Sequence, residues 1–279
     1  LMLQVLCLLI IITCTTACQY HSHSNGLPHR SDIILTSRTA HYTPAIGQGS
    51  GSGEYTTFTA AKAFHATRLD WLYSRNASFV SELKQFGMSD ISLAMNPQTA
   101  DANGSSWQVG RVININGDKL VAPWMRQWPG KKRYYGCVNN PAYTNVAHTF
   151  ADTLIDAGAT AIQHDDPTSN AEVVGWSNGD PTESGCYCDV CMKGFTKKLM
   201  ETLNTTVKKS LNVSSTFNYR NYLLKNQSTS SKRTILREMF VEYQINVTKK
   251  YIHDLKQHVD NRTSSSVPLS CNNGGQWDD

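Results

Sequence analysis

The sequence predicts an α/β fold on a parallel sheet: about five of the eight βα units of a (β/α)8 TIM barrel, with a long insertion after the fourth strand. Three observations predict it. From Ala60 onward short apolar runs alternate with amphipathic helical stretches, as βα units require. Those runs end in polar residues, which a parallel barrel gathers on one face. A chain of 279 residues, 40% of them hydrophobic, suffices for a substantial core.

Residues 1–17, LMLQVLCLLIIITCTTA, hold an apolar stretch from Val5 to Ile12 followed by small residues, the form of a cleaved signal peptide. That stretch is shorter than the roughly 20 residues that span a bilayer. A lipid anchor on Cys18 is the weaker alternative, because Thr15 stands where a leucine would be wanted. Residues 18–59, rich in Ser, Thr, Gly and His, read as a flexible N-terminal lead-in. Residues 60–279 read as the N-terminal part of the barrel, with a Cys-rich insertion at about 167–231.

Within that part, AFHATRLDW (63–71) is the first expected strand. A helix starting near Asn76 follows, with Phe79, Leu83 and Phe86 on one face and Gly87 to end it. DISLAMN (90–96), closed by Pro97, is the second strand and RYYGCVNN (133–140) the third. Pro141 opens the next helix, in which Val146, Phe150 and Leu154 recur every four residues up to Gly158. ATAIQHDD (159–166) is the fourth strand. In the insertion Met192, Phe195, Leu199 and Leu203 fit a helix face. A long helix from about Lys232 to Val259 turns Leu236, Phe240, Tyr243, Val247 and Tyr251 to one side. SVPLSCNN (266–273) is the fifth strand. Five units in this length suggest a piece of a longer barrel protein, with an open α/β sheet as the alternative.

A net charge of +4 without basic blocks gives no footprint for nucleic acid. Seven Asn-x-Ser/Thr sequons, at Asn76, Asn103, Asn204, Asn212, Asn226, Asn246 and Asn261, agree with a secreted or cell-surface glycoprotein and no stable membrane span.

The polar strand ends supply the candidate site: Asp70 and Trp71, Asn96, Asn139 and Asn140, Asp165 and Asp166, Asn272 and Asn273. Asn and Asp also end strands merely because they favour turns. Five such ends in succession tilt the reading toward a site, with Asp165 and Asp166 as its sharpest members. Neighbouring carboxylates repel, and a desolvated one can hold a proton near neutral pH. Glycoside hydrolysis needs such an acid beside a second carboxylate. Strand alternation lets one of the pair face a pocket, and a helix cap or a calcium-type oxygen cluster is the competing explanation. Trp71, Tyr73, Trp107, Trp124, Trp128, Tyr134, Tyr135, Trp176 and Trp277 offer flat faces for sugar rings, or simply core packing. Cys186, Cys188 and Cys191 form C-x-C-x-x-C with Cys137 upstream. Four thiolates make a structural zinc set, whereas a secreted chain with Cys271 and Cys18 also allows disulfides.

At YYGCVNNPAYTNVAHTFADTLIDAGATAIQHDDP, continuing to CYCDVCMKGFTKKL, the chain resembles the catalytic barrel of glycoside hydrolase family 42, the microbial β-galactosidases, or a related clan A group. The resemblance implies a structural zinc on Cys137, Cys186, Cys188 and Cys191, no cofactor for catalysis, and a carbohydrate substrate. It implies a retaining mechanism, with the acid/base glutamate of the family's Asn-Glu pair falling on Asp166 and the asparagine on Asp165. Aspartate is one methylene shorter, which points to a closer substrate, to a related family with its own DDP signature, or to a barrel without catalysis. The family's nucleophile comes from the seventh strand, beyond residue 279. The expected function is therefore a glycoside hydrolase, with Asp165 and His164 supporting Asp166 and with Asp70, Trp71, Asn96, Asn139 and Asn272 positioning the sugar. A non-catalytic carbohydrate-binding or cell-surface barrel is the alternative. A metal-dependent hydrolase built on His164, Asp165 and Asp166 lacks His-x-His or HExxH spacing.

Overall fold

The computed structural model describes residues 34–36, 65–96, 110–122, 134–165, 169–176, 180–226 and 234–272. The leader, most of the lead-in, Asn103, Trp107, Trp124, Trp128, Asp166, Asn273 and Trp277 lie outside the described residues. The chain divides into two compact units. Unit 1 takes Leu1–Asn96, His148–Pro167 and His253–Asp279, and unit 2 takes Pro97–Ala147 and Thr168–Ile252.

Unit 1 is an α/β unit on a parallel sheet. Four strands, β2 (Arg68–Leu72), β3 (Asp90–Met95), β4 (Ala161–Asp165) and β5 (Leu269–Asn272), are joined at one edge by the short β1 (Ile34–Thr36). The order is β1-β2-β3-β4-β5 and every pairing is parallel. Two differences from the sequence reading stand out. The lead-in supplies a strand, because Ile34, Leu35 and Thr36 are strand-favouring residues. The expected third strand, 133–140, is not in this sheet: its residues 134–136 bridge antiparallel partners in unit 2.

Register sorts the strand residues into two faces, since partners in a parallel ladder share a face and neighbours alternate. One face carries Leu69 beside Ile91, then Leu93, Ile162 and Leu269, then Met95, His164 and Cys271. Apart from half-buried Cys271 these residues are buried. The other face carries Ser92 and Ala161, then Ala94, Gln163 and Ser270, then Asp165, so it becomes polar toward the strand ends. In β2 the register shifts between Leu69 and Leu72, an extra residue that marks a bulge. Trp71 there has φ +61°, a strained backbone for a bulky side chain.

The connections are helical. Helix α1 (Ala77–Gln85) is capped by Asn76, whose side chain accepts from the Phe79 amide. Gly87, at φ +93°, ends it. Its buried residues are Val80 and Leu83, and Phe86, expected on that face, is exposed. Helix α2 (Pro141–Asp156) buries Tyr143, Ala147, Ala151 and Leu154. Leu154 is buried as expected, the rest of the stripe being Tyr143 and two alanines, whereas Val146 and Phe150 are only half-buried. Phe150 instead lies under the Arg75 guanidinium, 3.7 Å from it. Later, helix α7 (Ile235–Thr263) contributes its residues 253–263 to unit 1. There His258 meets Asp152 at 2.9 Å and Arg262 meets Asp156 at 2.8 Å. Within unit 1, then, the helical segments neighbour one another in chain order, as the strands do.

Unit 2 is made of the connections after β3 and β4. Segments 110–114, 118–122 and 134–137 form an antiparallel patch, with Val112 donating to Tyr135 at 2.8 Å and Leu120 donating to Val112 at 3.0 Å. The Asn116–Gly117 turn, with Gly117 at φ +94°, joins the first two. Around the patch lie α3 (Ser169–Trp176), α4 (Asp189–Thr202), α5 (Thr205–Ser210), α6 (Tyr219–Lys225) and residues 235–252 of α7. Helix α4 buries Cys191, Met192, Phe195, Thr196 and Leu199, close to the expected face. Phe195 meets Tyr219 and Phe240 edge-on at 5.2 Å each, contacts worth about 0.5–1.5 kcal/mol beyond their burial. The buried row of α7 is Leu236, Phe240, Gln244, Thr248 and Tyr251. Two polar residues therefore occupy the row in which Tyr243 and Val247 were expected.

Candidate functional site

Three strand ends meet at one carboxylate. Asp165 ends β4 on the polar face and is 9% exposed. The hydroxyl of Tyr73, just past β2, donates to its Oδ2, and Asn96 Nδ2, just past β3, donates to the same oxygen at 3.2 Å. Trp71 Nε1 donates in turn to the Tyr73 hydroxyl at 2.9 Å. The positive φ of Trp71 and the bulge thus belong to a relay from Trp71 through Tyr73 to Asp165. Chemically this is an anion held by neutral donors at the mouth of a polar sheet face.

The other expected site residues fare differently. Asp70 takes Arg68 Nε at 3.0 Å and is part of an ion pair. Asn272 pairs in register with Asp165. His164 lies on the opposite face, fully buried between Met95 and Cys271 in register. Its Nδ1 is 3.1 Å from the Asp165 carbonyl oxygen, and burial pushes its pKa down to about 4. It is a neutral core histidine rather than a group beside the carboxylate, as strand alternation requires. Asn139 is in unit 2, beside the cysteines, where its Nδ2 donates to Tyr243 Oη at 2.9 Å and reaches Cys191 Sγ at 3.6 Å. Sequence reasoning counted Tyr73 only among the aromatics. Its place directly after β2 was the available signal.

The second constellation is the buried cysteine set. Cys137, Cys186, Cys188 and Cys191 are free, buried, and have sulfurs all within 4.8 Å of one another. Cys137 Sγ lies 3.5 Å from Cys191 Sγ and 3.9 Å from Cys188 Sγ. A tetrahedron with Zn–S bonds of about 2.3 Å has edges of about 3.8 Å, whereas a disulfide needs about 2.05 Å. Hydrogen-bond donors point at the sulfurs. Asn170 Nδ2 reaches Cys137 Sγ at 3.4 Å and Cys191 Sγ at 3.7 Å.

Asn170 is itself fixed. Its Oδ1 accepts from the Val138 amide at 3.2 Å, and its Nδ2 meets Gln244 Oε1 at 2.9 Å. Gln244 Nε2 donates on to the Cys186 carbonyl at 3.2 Å. That is why a polar residue sits in the buried row of α7. Hydrogen bonds from the neighbouring thiols push Cys188 far down, while burial pushes Cys186 up and the Cys137 thiol pushes Cys191 up. Four sulfurs in one buried pocket suit a cation, which would draw off the remaining thiol protons. The donor set, the spacing and the surrounding amides are compatible with a structural zinc site. Asn170 and Gln244 were missed because nothing in their local sequence marks them; they are recognisable only from the partners the fold brings.

Beside the cluster, Gly194 in α4 has no side chain because the Tyr243 hydroxyl occupies that space. Tyr243 there accepts from Asn139, so a glycine inside a helix is tied to the second layer around the sulfurs.

Among known proteins, no family model matches the chain and no curated protein matches it. Among solved structures, an α-L-fucosidase isoenzyme 2 from Paenibacillus thiaminolyticus aligns at 9% identity with a TM-score of 0.48, over 78% of this chain and 28% of that one. The chain therefore spans well under a third of the length of that structure.

Proposed function

We propose that the chain is part of a secreted glycoside hydrolase whose sheet belongs to a (β/α)8 barrel, with Asp165 and Asp166 at the end of the fourth strand as its carboxylate pair. The observation that carries the reading is the convergence of Tyr73, Asn96 and Asp165 from three successive strand ends onto one polar face. Parallel strands in unbroken chain order, without the reversal of a doubly wound sheet, suit a barrel. Right-handed crossovers put the helical segments of unit 1 on one side of its sheet, which leaves the polar face for the interior.

Two donors on Oδ2 cast Asp165 as an acceptor. The family resemblance assigns the proton-donating role to Asp166, with a carbohydrate as substrate and a nucleophile from elsewhere in the protein. The thiolates of Cys137, Cys186, Cys188 and Cys191 would hold a structural zinc, which supplies cross-linking and takes no part in the chemistry. Hydrolysis of aryl glycosides by the full-length protein tests the reading. Asp165→Asn should abolish turnover and Asp166→Asn should lower it; unchanged rates in both would exclude this pair, and a parent protein without turnover would leave a carbohydrate-binding barrel without catalysis.

A further inference from the structure

The sequons, which the site does not use, are sorted by the fold. All six in the described residues, Asn76, Asn204, Asn212, Asn226, Asn246 and Asn261, have exposed asparagines. The other described asparagines behave differently. Asn96, Asn114, Asn139, Asn140, Asn170 and Asn218 are buried or half-buried, and Asn116, Asn145 and Asn221 are exposed. The six sequon asparagines thus all stand at the surface, whereas most of the others are built into caps, turns or longer-range hydrogen bonds.

Two sequon residues show how a sugar and a fold contact can share one side chain. Asn76 caps α1 and Asn204 caps α5, each through Oδ1, which accepts from Phe79 N at 3.2 Å and Val207 N at 3.0 Å. Nδ2 is the atom a glycan takes, and no described residue holds it at either position. At Asn226 Nδ2 donates to the Tyr222 carbonyl at 2.7 Å, and a secondary amide keeps one N–H for that bond. Asn246 and Asn261 project from α7, and Asn212 stands at φ +53°, a conformation asparagine accepts readily.

We propose that the protein carries N-linked oligosaccharides at these six asparagines. Each Nδ2 attacks the anomeric carbon of a lipid-pyrophosphate-linked oligosaccharide. The Nδ2–C1 bond forms, the C1–O bond to pyrophosphate breaks, Nδ2 gives up a proton and the lipid pyrophosphate leaves. The inference is independent of the hydrolase reading, since an inactive protein could be fully glycosylated.

The test is peptide mapping of the full-length protein made in eukaryotic secretory cells, with amide-cleaving deglycosylation in heavy-oxygen water. Isotope-labelled aspartate is expected at all six positions, while Asn116, Asn145 and Asn221 remain asparagine. Ser78→Ala and Thr206→Ala should each remove one glycan step on a gel and leave the helix caps in place. A protein whose mass deglycosylation does not change, or a Ser78→Ala variant still modified at Asn76, overturns the proposal.

Discussion

The hydroxyl of Tyr73 donates a hydrogen bond to the carboxylate of Asp165, a residue 92 positions later in the chain. A hydrogen bond to a charged group contributes about 1.5–3 kcal/mol. If it positions the carboxylate for chemistry, Tyr73→Phe lowers kcat/KM about tenfold or more with little change in fold. Steady-state kinetics beside circular dichroism check this, and a Phe variant as active as the parent would reduce Tyr73 to packing.

The cysteine cluster predicts about one zinc per chain and four thiols that alkylate only after chelation and unfolding. Asn170→Ala removes the amide that faces Cys137 and Cys191 and should weaken zinc about 10- to 100-fold. Elemental analysis and competition with a chromophoric chelator measure both. A metal-free protein with disulfides among Cys137, Cys186, Cys188 and Cys191 would refute the assignment.

Gly194 and Tyr243 form a steric pair. A methyl at Gly194 meets the Tyr243 hydroxyl, so Gly194→Ala should cost about 1–3 kcal/mol. Tyr243→Phe, which removes the obstructing oxygen, should recover part of that loss in the double variant. Denaturant titrations of the four proteins give the coupling, and strict additivity would show that the two residues do not compete for space.

His164 sets a pH dependence. Its folded pKa is pushed down to about 4 by burial, against about 6.5 in the unfolded chain. The unfolded state therefore binds the proton first as pH falls. The contribution is fully present above about pH 6.5 and shrinks toward pH 4, by about 2 kcal/mol at pH 5 and about 3 kcal/mol at pH 4. His164→Leu should flatten that part of the stability curve between pH 7 and pH 5. Equal slopes for the two proteins would place His164 in contact with solvent.

The sequence was most legible where local chemistry and tertiary structure agree. The runs 90–96, 159–166 and 266–273 contain the strands Asp90–Met95, Ala161–Asp165 and Leu269–Asn272, where apolar residues alternate with small or polar ones, and Asn76 and Gly87 mark the ends of α1. The run 133–140 misled because Tyr134, Tyr135, Cys137 and Val138 have strand-like composition, which cannot distinguish a parallel ladder from an antiparallel patch. The Asn116–Gly117 turn was the cue for the latter. In the candidate site, register alone separates Asp165 from His164. Tyr73, Asn170 and Gln244 act through partners far away in sequence, so no local pattern could announce them.

The central claim rests on Asp165, which ends β4, and on Asp166, which follows it in sequence, and one comparison tests it most directly. The full-length protein, Asp165→Asn and Asp166→Asn are assayed on a panel of aryl and alkyl glycosides at matched fold content. A general acid contributes about 10²–10⁴-fold. Asp166→Asn should therefore lose alkyl glycoside hydrolysis by that factor while retaining more activity on aryl glycosides, whose leaving groups need less protonation. Asp165→Asn should fall on both classes alike. Parent-like rates in Asp166→Asn on alkyl glycosides would contradict the account.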